Sequence, residues 1–424
     1  MNAHAEITRP TATKDKALTL LIAYLAVEYL RLHEIILPFL APLKIPMFLV
    51  IALLFIVVKK WKSIPKDGVI IAVFIFYLQM LVWVPFATNN YFAFQTVKSM
   101  SLIFITMLSI VAIVNTHDKL LTLLKAWVVI QSFMSIWVIV HGGKGPGGFV
   151  ADENDVCFVL VASFPFAWYL ARNKQQSKRL KWFSYLTCVL ITVGVITTYS
   201  RGGFLGYIVM ISAILIYSER RIRNTIVILV FALTFGTATL HFLPDKYVSD
   251  METITDKKDT TRNLRFLHWT TAWEMFKDNP LFGVGPANYP WDSIRYFYLS
   301  PYYDPHQRGR TGRVAHSMYF TLIPEFGMTG IALFLYCFML SWRRMTRIKK
   351  SLMVRDVAKS VEEKPVCQLC RSSATIIQTA IAGSFTAGAF ISVLYYPLIW
   401  HLLGLSLAVF YNCGLKQQNT EYTL

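Results

Sequence analysis

Apolar residues in this chain come in long, nearly uninterrupted runs separated by short polar turns. Twelve such runs lie near residues 17–37, 43–58, 68–86, 97–114, 120–140, 155–172, 180–198, 203–217, 223–242, 316–341, 373–394 and 397–412. A helix needs about 20 apolar residues to cross the hydrocarbon core of a bilayer, so the shorter runs rely on flanking aromatic residues at the interface. The first run follows Arg9, Lys14 and Lys16 as a secretory leader would, but Glu28, Arg31 and His33 follow it in place of a small-residue cleavage site, which predicts an uncleaved span. No period of about 20–50 residues repeats, which argues against a solenoid. The pattern predicts an all-α polytopic membrane protein of about twelve transmembrane helices with one large loop. Residues 1–242 hold the first nine spans and 243–315 the loop. Residues 316–412 hold the last three spans with a basic loop at 342–372, and 413–424 form a tail.

Composition agrees. The chain is 55% hydrophobic and 16% charged, where a soluble domain carries about 25% charged residues. The formal net charge of +18 is not a nucleic-acid footprint, because the basic residues follow the topology. Roughly 26 of the 42 Lys and Arg fall in alternate loops: the N-terminus, Lys59 to Lys66, Lys119, Arg172 to Lys181, Arg220 to Arg223, Arg343 to Arg371 and the tail. Cytoplasmic loops concentrate such residues. Both termini are therefore expected in the cytoplasm and the large loop outside, in the periplasm beyond a bacterial inner membrane. The basic excess also favours anionic membrane lipids. Arg343 to Lys350, with Met345, Ile348 and Leu352 interleaved, reads either as an amphipathic segment on the inner surface or as a solvated basic loop. Of the six cysteines, Cys367 and Cys370 have the spacing of half a zinc knuckle, but no second pair or histidine accompanies them. They lie on the side where thiols stay reduced, and the large loop has no cysteine, so no structural disulfide is expected.

Arginines on the outer side break the charge rule. Arg201, in Tyr199-Ser200-Arg201-Gly202-Gly203, reads as an interface anchor or as an anion ligand, since its fork of donors matches phosphate oxygens. Within the loop, Phe266, Trp269, Trp273 and Phe276 recur at three- and four-residue spacing, predicting an amphipathic helix whose aromatic face lies on the membrane or on the spans. Arg265 and Trp269 share a side of it. Pro280 to Pro286 reads as a sharp turn; its Gly283-Val284-Gly285 has no surrounding βαβ unit and is not a dinucleotide fingerprint. His316 stands where the loop meets an apolar run. The positive end of a helix there favours neutral imidazole, which can accept a proton as a general base. A helix cap is the plainer reading for it, as N-capping is for Asp152-Glu153-Asn154-Asp155 beside possible sugar contact. Asp304 is a carboxylate able to orient His316. No outer cluster of Asp, Glu and His has metal-site spacing.

Three motifs together resemble a known family. His316-Ser317 followed nine residues later by Gly327-x-x-Gly330 resembles the motif of bacterial O-antigen ligases. Arg265-x-x-x-Trp269 with Asn279-Pro280-Leu281-Phe282-Gly283-Val284-Gly285 resembles the signature of the wider O-antigen ligase and polymerase superfamily, and Ser200-Arg201-Gly202 resembles its upstream motif. The resemblance covers residues 150–340 in motifs and the whole chain in topology.

The resemblance implies a fold like the C-type membrane glycosyltransferases. It implies transfer of a glycan from an undecaprenyl-pyrophosphate carrier to lipid A–core oligosaccharide in lipopolysaccharide biosynthesis, inverting, with neither nucleotide, cofactor nor metal. Arg201 and Arg265 would bind the pyrophosphate and stabilise the departing charge, and His316 would be the general base. Arg308, Arg310 and Arg313, with Trp269 and Ser317, would help hold donor or acceptor. An O-antigen polymerase or a protein O-oligosaccharyltransferase of the same superfamily fits the same motifs. A lipid-linked glycan flippase fits less well, because its charges would sit near the membrane midplane and not at the rim.

Overall fold

The computed structural model describes residues 15–35, 38–218, 260–306, 312–355 and 364–413, with residues 222 and 226. Among them every regular element is a helix. The helices before the polar segment are α1 (Lys16–Leu30), α3 (Ile45–Lys59), α4 (Gly68–Trp83), α5 (Asn90–Ile113), α6 (His117–Val140), α7 (Glu153–Arg172), α8 (Lys178–Thr197) and α9 (Arg201–Ile216), with the four-residue α2 (Leu32–Ile35) after α1. After the polar segment, which holds α10 (Thr260–Asp278) and the short α11 (Tyr289–Asp292), come α12 (Met318–Arg355), α13 (Lys364–Gly388) and α14 (Pro397–Asn412).

Eleven of the twelve apolar runs fall on helices, and the run at 223–242, residue 226 apart, lies outside the described residues. Six helical segments are long and apolar enough to cross a membrane, while α3, α9 and α14 are apolar but shorter. The outer faces are as apolar as the core. Phe74 on α4 and Phe55 on α3 are 57% and 71% exposed, a pattern that water would penalise and lipid favours. This is an all-helical, multi-pass membrane protein.

Starts of helices are set by short polar side chains. Asp67, Asn89, Thr116, Asp152, Ser177 and Ser200 each accept a backbone N–H at the head of α4 to α9, each worth about 1 kcal/mol. Helix α7 is buried along nearly its whole length and packs on α6, α8, α9 and α13. At the end of the bundle opposite the polar segment, buried Asp67 takes Arg344 Nη1 and Nη2 at 3.0 and 2.9 Å and the Tyr411 hydroxyl at 2.5 Å. One carboxylate thus joins α4, α12 and α14.

Two expectations change here. Helix α12 runs on to Arg355, so the basic segment from Arg343 begins as its last turns. Met345 and Ile348 are fully buried and Leu352 nearly so, in the bundle core and not on a lipid surface, because their spacing continues the inner face of the same helix. Gln378 of α13 donates to the Trp342 carbonyl at 3.2 Å and to Thr346 Oγ1 at 2.8 Å, fixing that extension. The expectation of no disulfide also fails. Cys370 and Cys413 are joined, with Cα atoms 6.0 Å apart. Their 43-residue separation hides that the start of α13 and the end of α14 are neighbours.

Candidate functional site

The polar segment is stitched to α12 by backbone bonds. Helix α12 is broken at Gly327 (φ +59°, ψ −160°), three residues after Pro324. The stretch 280–285 lies in the break: Val284 N donates to Pro324 O at 2.9 Å and Gly285 N to Glu325 O at 3.0 Å, while Met328 N donates to Pro280 O at 2.8 Å and Thr329 N to Leu281 O at 3.1 Å. A Cβ on Gly283 would stand 2.3 Å from the Glu325 carbonyl carbon, and one on Gly327 2.6 Å from that of Leu281. The stretch read as a turn and the Gly-x-x-Gly motif are thus two halves of one contact.

Helix α10 packs on the buried start of α12 with Trp269 of its aromatic face and with a stripe that the aromatic spacing does not reveal. Leu267, His268, Thr271, Ala272 and Met275 are buried, whereas Trp273 is 48% exposed and Phe266, Trp269 and Phe276 are half-buried. The hydropathy pattern overlooked the stripe that holds His268 and Thr271, because those residues count as polar.

Trp269 fixes the chain next to His316. Its Nε1 donates to the Ala315 carbonyl at 3.1 Å, and its ring stacks on Phe320 at 5.2 Å. Ser317 is buried and its hydroxyl accepts the Phe320 N–H at 3.4 Å, capping α12. His316 is half-buried in a left-handed conformation (φ +50°), which a non-glycine residue adopts at a cost. Tyr199, two residues before Arg201, and Ala287 share that conformation (φ +52° and +54°). Burial lowers the His316 pKa from its usual value; the charges of Arg265 and then Arg313 lower it further, and Asp152 opposes them.

That same Asp152 caps α7, accepting the N–H and the side-chain amide of Asn154, both at 2.9 Å. Asn154 Oδ1 in turn accepts the Ser200 hydroxyl at 2.7 Å, and Ser200 caps α9 directly before Arg201. A Cβ on Gly202 would stand 2.6 Å from Phe390, whose ring lies 6.3 Å from that of Trp269. The heads of α7 and α9, helix α10 and the head of α12 therefore converge, bringing Arg201, Arg265 and His316 around one region, with exposed Arg313 beside it. Arg308 and Arg310 lie outside the described residues. Asp304 accepts the His306 N–H at 2.9 Å; the carboxylate whose charge reaches His316 is Asp152.

Several residues of this region were not singled out from sequence. His268 is 1% exposed, and its ring lies 6.5 Å from that of His316. The Tyr289 hydroxyl is 2.8 Å from His268 Nδ1 and donates to the His268 carbonyl at 3.0 Å. A hydroxyl has one proton, so the arrangement that satisfies both contacts puts the imidazole proton on Nδ1. Nε2 is then a bare acceptor, buried and without a hydrogen-bond partner among the described residues. Burial, then His316 and Arg313, push the His268 pKa down to about 4. Behind Tyr289, Glu325 accepts the N–H groups of Tyr289 and Ala287 at 3.0 and 2.9 Å and the Tyr395 hydroxyl. The Tyr396 hydroxyl donates to Asp155 at 2.9 Å. A carboxylate inside an apolar run, as Glu325 is, was the available signal; Tyr289 and Tyr395 carried none.

Residues 186–335 match the family model described as O-antigen ligase. That segment is similar to the O-antigen ligase family. The matched O-antigen ligase segment begins within α8 and ends within α12, so it contains Arg201, Arg265, Trp269 and His316 and leaves out Asp152, Tyr395 and Tyr396. No curated protein matches the chain. Among the described residues, no three of His, Cys, Asp and Glu are grouped as metal ligands would be.

Proposed function

We propose that the protein is an O-antigen ligase. It transfers a glycan from an undecaprenyl-pyrophosphate carrier to lipid A–core oligosaccharide at the periplasmic face of the bacterial inner membrane, with both its termini in the cytoplasm and a fold of the C-type glycosyltransferase kind. What supports this reading is that burial and the charge of Arg265 lower the His316 pKa, and that Gly202, next to Arg201, packs on Phe390 beside Trp269, inside the segment that matches the family.

The chemistry follows from charge. Arg201 and Arg265 hold the carrier pyrophosphate with charge-assisted hydrogen bonds. The acceptor hydroxyl attacks the anomeric carbon from the side opposite the pyrophosphate, and His316 takes the hydroxyl proton. The bond from the anomeric carbon to the phosphate oxygen breaks as the new glycosidic bond forms, and the electron pair leaves on the pyrophosphate. The arginines stabilise that charge as it develops, so the reaction proceeds with inversion and without a metal. Arg313 adds positive charge at the rim, where an anionic acceptor or carrier arrives.

Deleting the gene and examining the lipopolysaccharide tests the reading. A ligase deletion leaves long glycan on the carrier lipid and bare lipid A–core. Single glycan units on the core would assign the protein to polymerisation, and unchanged lipopolysaccharide with loss of a glycosylated protein would assign it to protein glycosylation.

A further inference from the structure

Beyond Tyr395 and Tyr396, on the side away from Glu325, lies a cavity of about 380 Å³ bounded by α1, α3 and α5. Its size falls within the roughly 300–1,000 Å³ of small-molecule sites. Its wall carries polar side chains among apolar ones. Glu28 and Arg31 face it from α1, and Gln95, Thr96 and Ser99 from α5. Polar side chains on spanning helices are costly unless they line a cavity or a substrate path.

The charged groups at this wall are two carboxylates, Glu28 and Glu34, and one guanidinium, Arg31. Arg31 Nε donates to Glu34 at 2.8 Å and its Nη2 bonds the same carboxylate, so with Glu28 beside it no positive charge is in surplus. That excludes a pyrophosphate and suits an uncharged ligand. The remaining lining joins aromatic Tyr24, Phe149, Tyr395 and Tyr396 to aliphatic Val50, Leu102 and Ile103; Phe149 and Tyr396 meet edge to face at 5.6 Å. Neutral donors and acceptors beside aromatic faces match a sugar ring, which offers hydroxyls around its edge and C–H bonds on its faces.

The cavity adjoins the site through shared residues. Tyr395 bonds Glu325 and accepts the Ala287 N–H at 3.1 Å. Tyr396 bonds Asp155, and Phe149 precedes by three residues the Asp152 whose charge reaches His316.

We propose that this cavity binds an uncharged sugar ring of a glycan substrate. The proposal rests on the glycosyl-transfer reading, and the ring belongs either to the carrier-linked donor or to the acceptor core. Saturation-transfer NMR on the detergent-solubilised full chain tests it, with methyl glycosides of glucose, galactose, mannose and N-acetylglucosamine as probes. At least one glycoside should receive magnetisation from the protein. The signal should disappear in Ser99→Trp, which fills the cavity, and weaken in Gln95→Leu, a milder change that keeps the question open should the tryptophan variant not fold. No signal from any glycoside, or signals unchanged in both variants, overturns the proposal. Measuring KM separately for lipid-linked glycan and lipid A–core then names the source: the one whose KM rises at least tenfold in Ser99→Trp supplies the ring. If the wild type transfers glycan and neither KM moves, the cavity assignment falls while the transfer reading stands. If the wild type transfers no glycan, the transfer reading falls, and glycoside binding alone decides the cavity.

Discussion

His268 and His316 stand with their rings 6.5 Å apart, and both are kept below the usual histidine pKa by burial and by neighbouring cations. A proton on either ring would face the other ring and Arg313. The pair is therefore neutral near pH 7, the state in which His316 can accept a proton. The charges around His316 act in opposite directions, which gives a test by substitution. Arg313→Gln removes a charge that lowers the His316 pKa and should shift its titration to higher pH. Asp152→Asn keeps the helix cap, removes a charge that raises the pKa, and should shift the titration to lower pH. NMR of protein with labelled histidine reads both; shifts of the same sign would show that these groups do not face His316.

The low pKa of His268 is also a statement about stability. Its pKa falls from 6.5 in the unfolded chain to about 4 in the folded one, so the unfolded chain binds the proton more readily. Its contribution is fully present above pH 6.5 and is lost as pH falls toward 4, on the order of 3 kcal/mol in all. The Tm should therefore drop between pH 6.5 and 4, and drop less in His268→Asn. Equal pH slopes for the two proteins would mean that His268 titrates normally.

Gly327 is strained for any other residue, because its φ is +59° and a Cβ there would stand 2.6 Å from the Leu281 backbone. Gly327→Ala should cost about 1–3 kcal/mol from the left-handed backbone and the overpacking together. It should separate the 280–285 stretch from α12. Hydrogen exchange at Val284 and Met328, whose amides bond across that seam, should accelerate at least tenfold. Unchanged protection at both amides would show that the seam tolerates a side chain.

What was legible in the sequence and what was not divide by range. Length of apolar runs is a local property, so the apolar helices could be read directly. Arg201, Arg265 and His316 could be singled out because each sits in a short motif. The contacts that bring them together could not. The Asn154–Ser200 bond spans 46 residues and the Glu325–Tyr395 bond spans 70. The buried stripe of His268 and Thr271 on α10 was not legible, because both residues are polar and their burial depends on partners elsewhere in the chain. The extension of α12 past Leu340 was hidden because Arg343, Arg344 and Arg347 interrupt the hydropathy without interrupting the helix.

Asp67 is nearly fully buried and holds Arg344, itself mostly buried. Asp67→Ala leaves that guanidinium without its partner, which costs about 3–5 kcal/mol at a buried pair. The Tm in detergent should fall by several degrees or more. Asp67→Ala with Arg344→Met should recover much of the loss, and a double variant no more stable than the single one would show that the pair is not coupled.

The central claim is that His316 is the proton acceptor in glycan transfer. The most direct measurement is transfer by the purified protein from undecaprenyl-pyrophosphate-linked glycan to lipid A–core, with no nucleotide and no added metal, for the wild type and for His316→Ala. The wild type should form product, and His316→Ala should lose at least a hundredfold in rate while keeping its Tm and its binding of the carrier lipid. Transfer by His316→Ala at the wild-type rate would contradict the account.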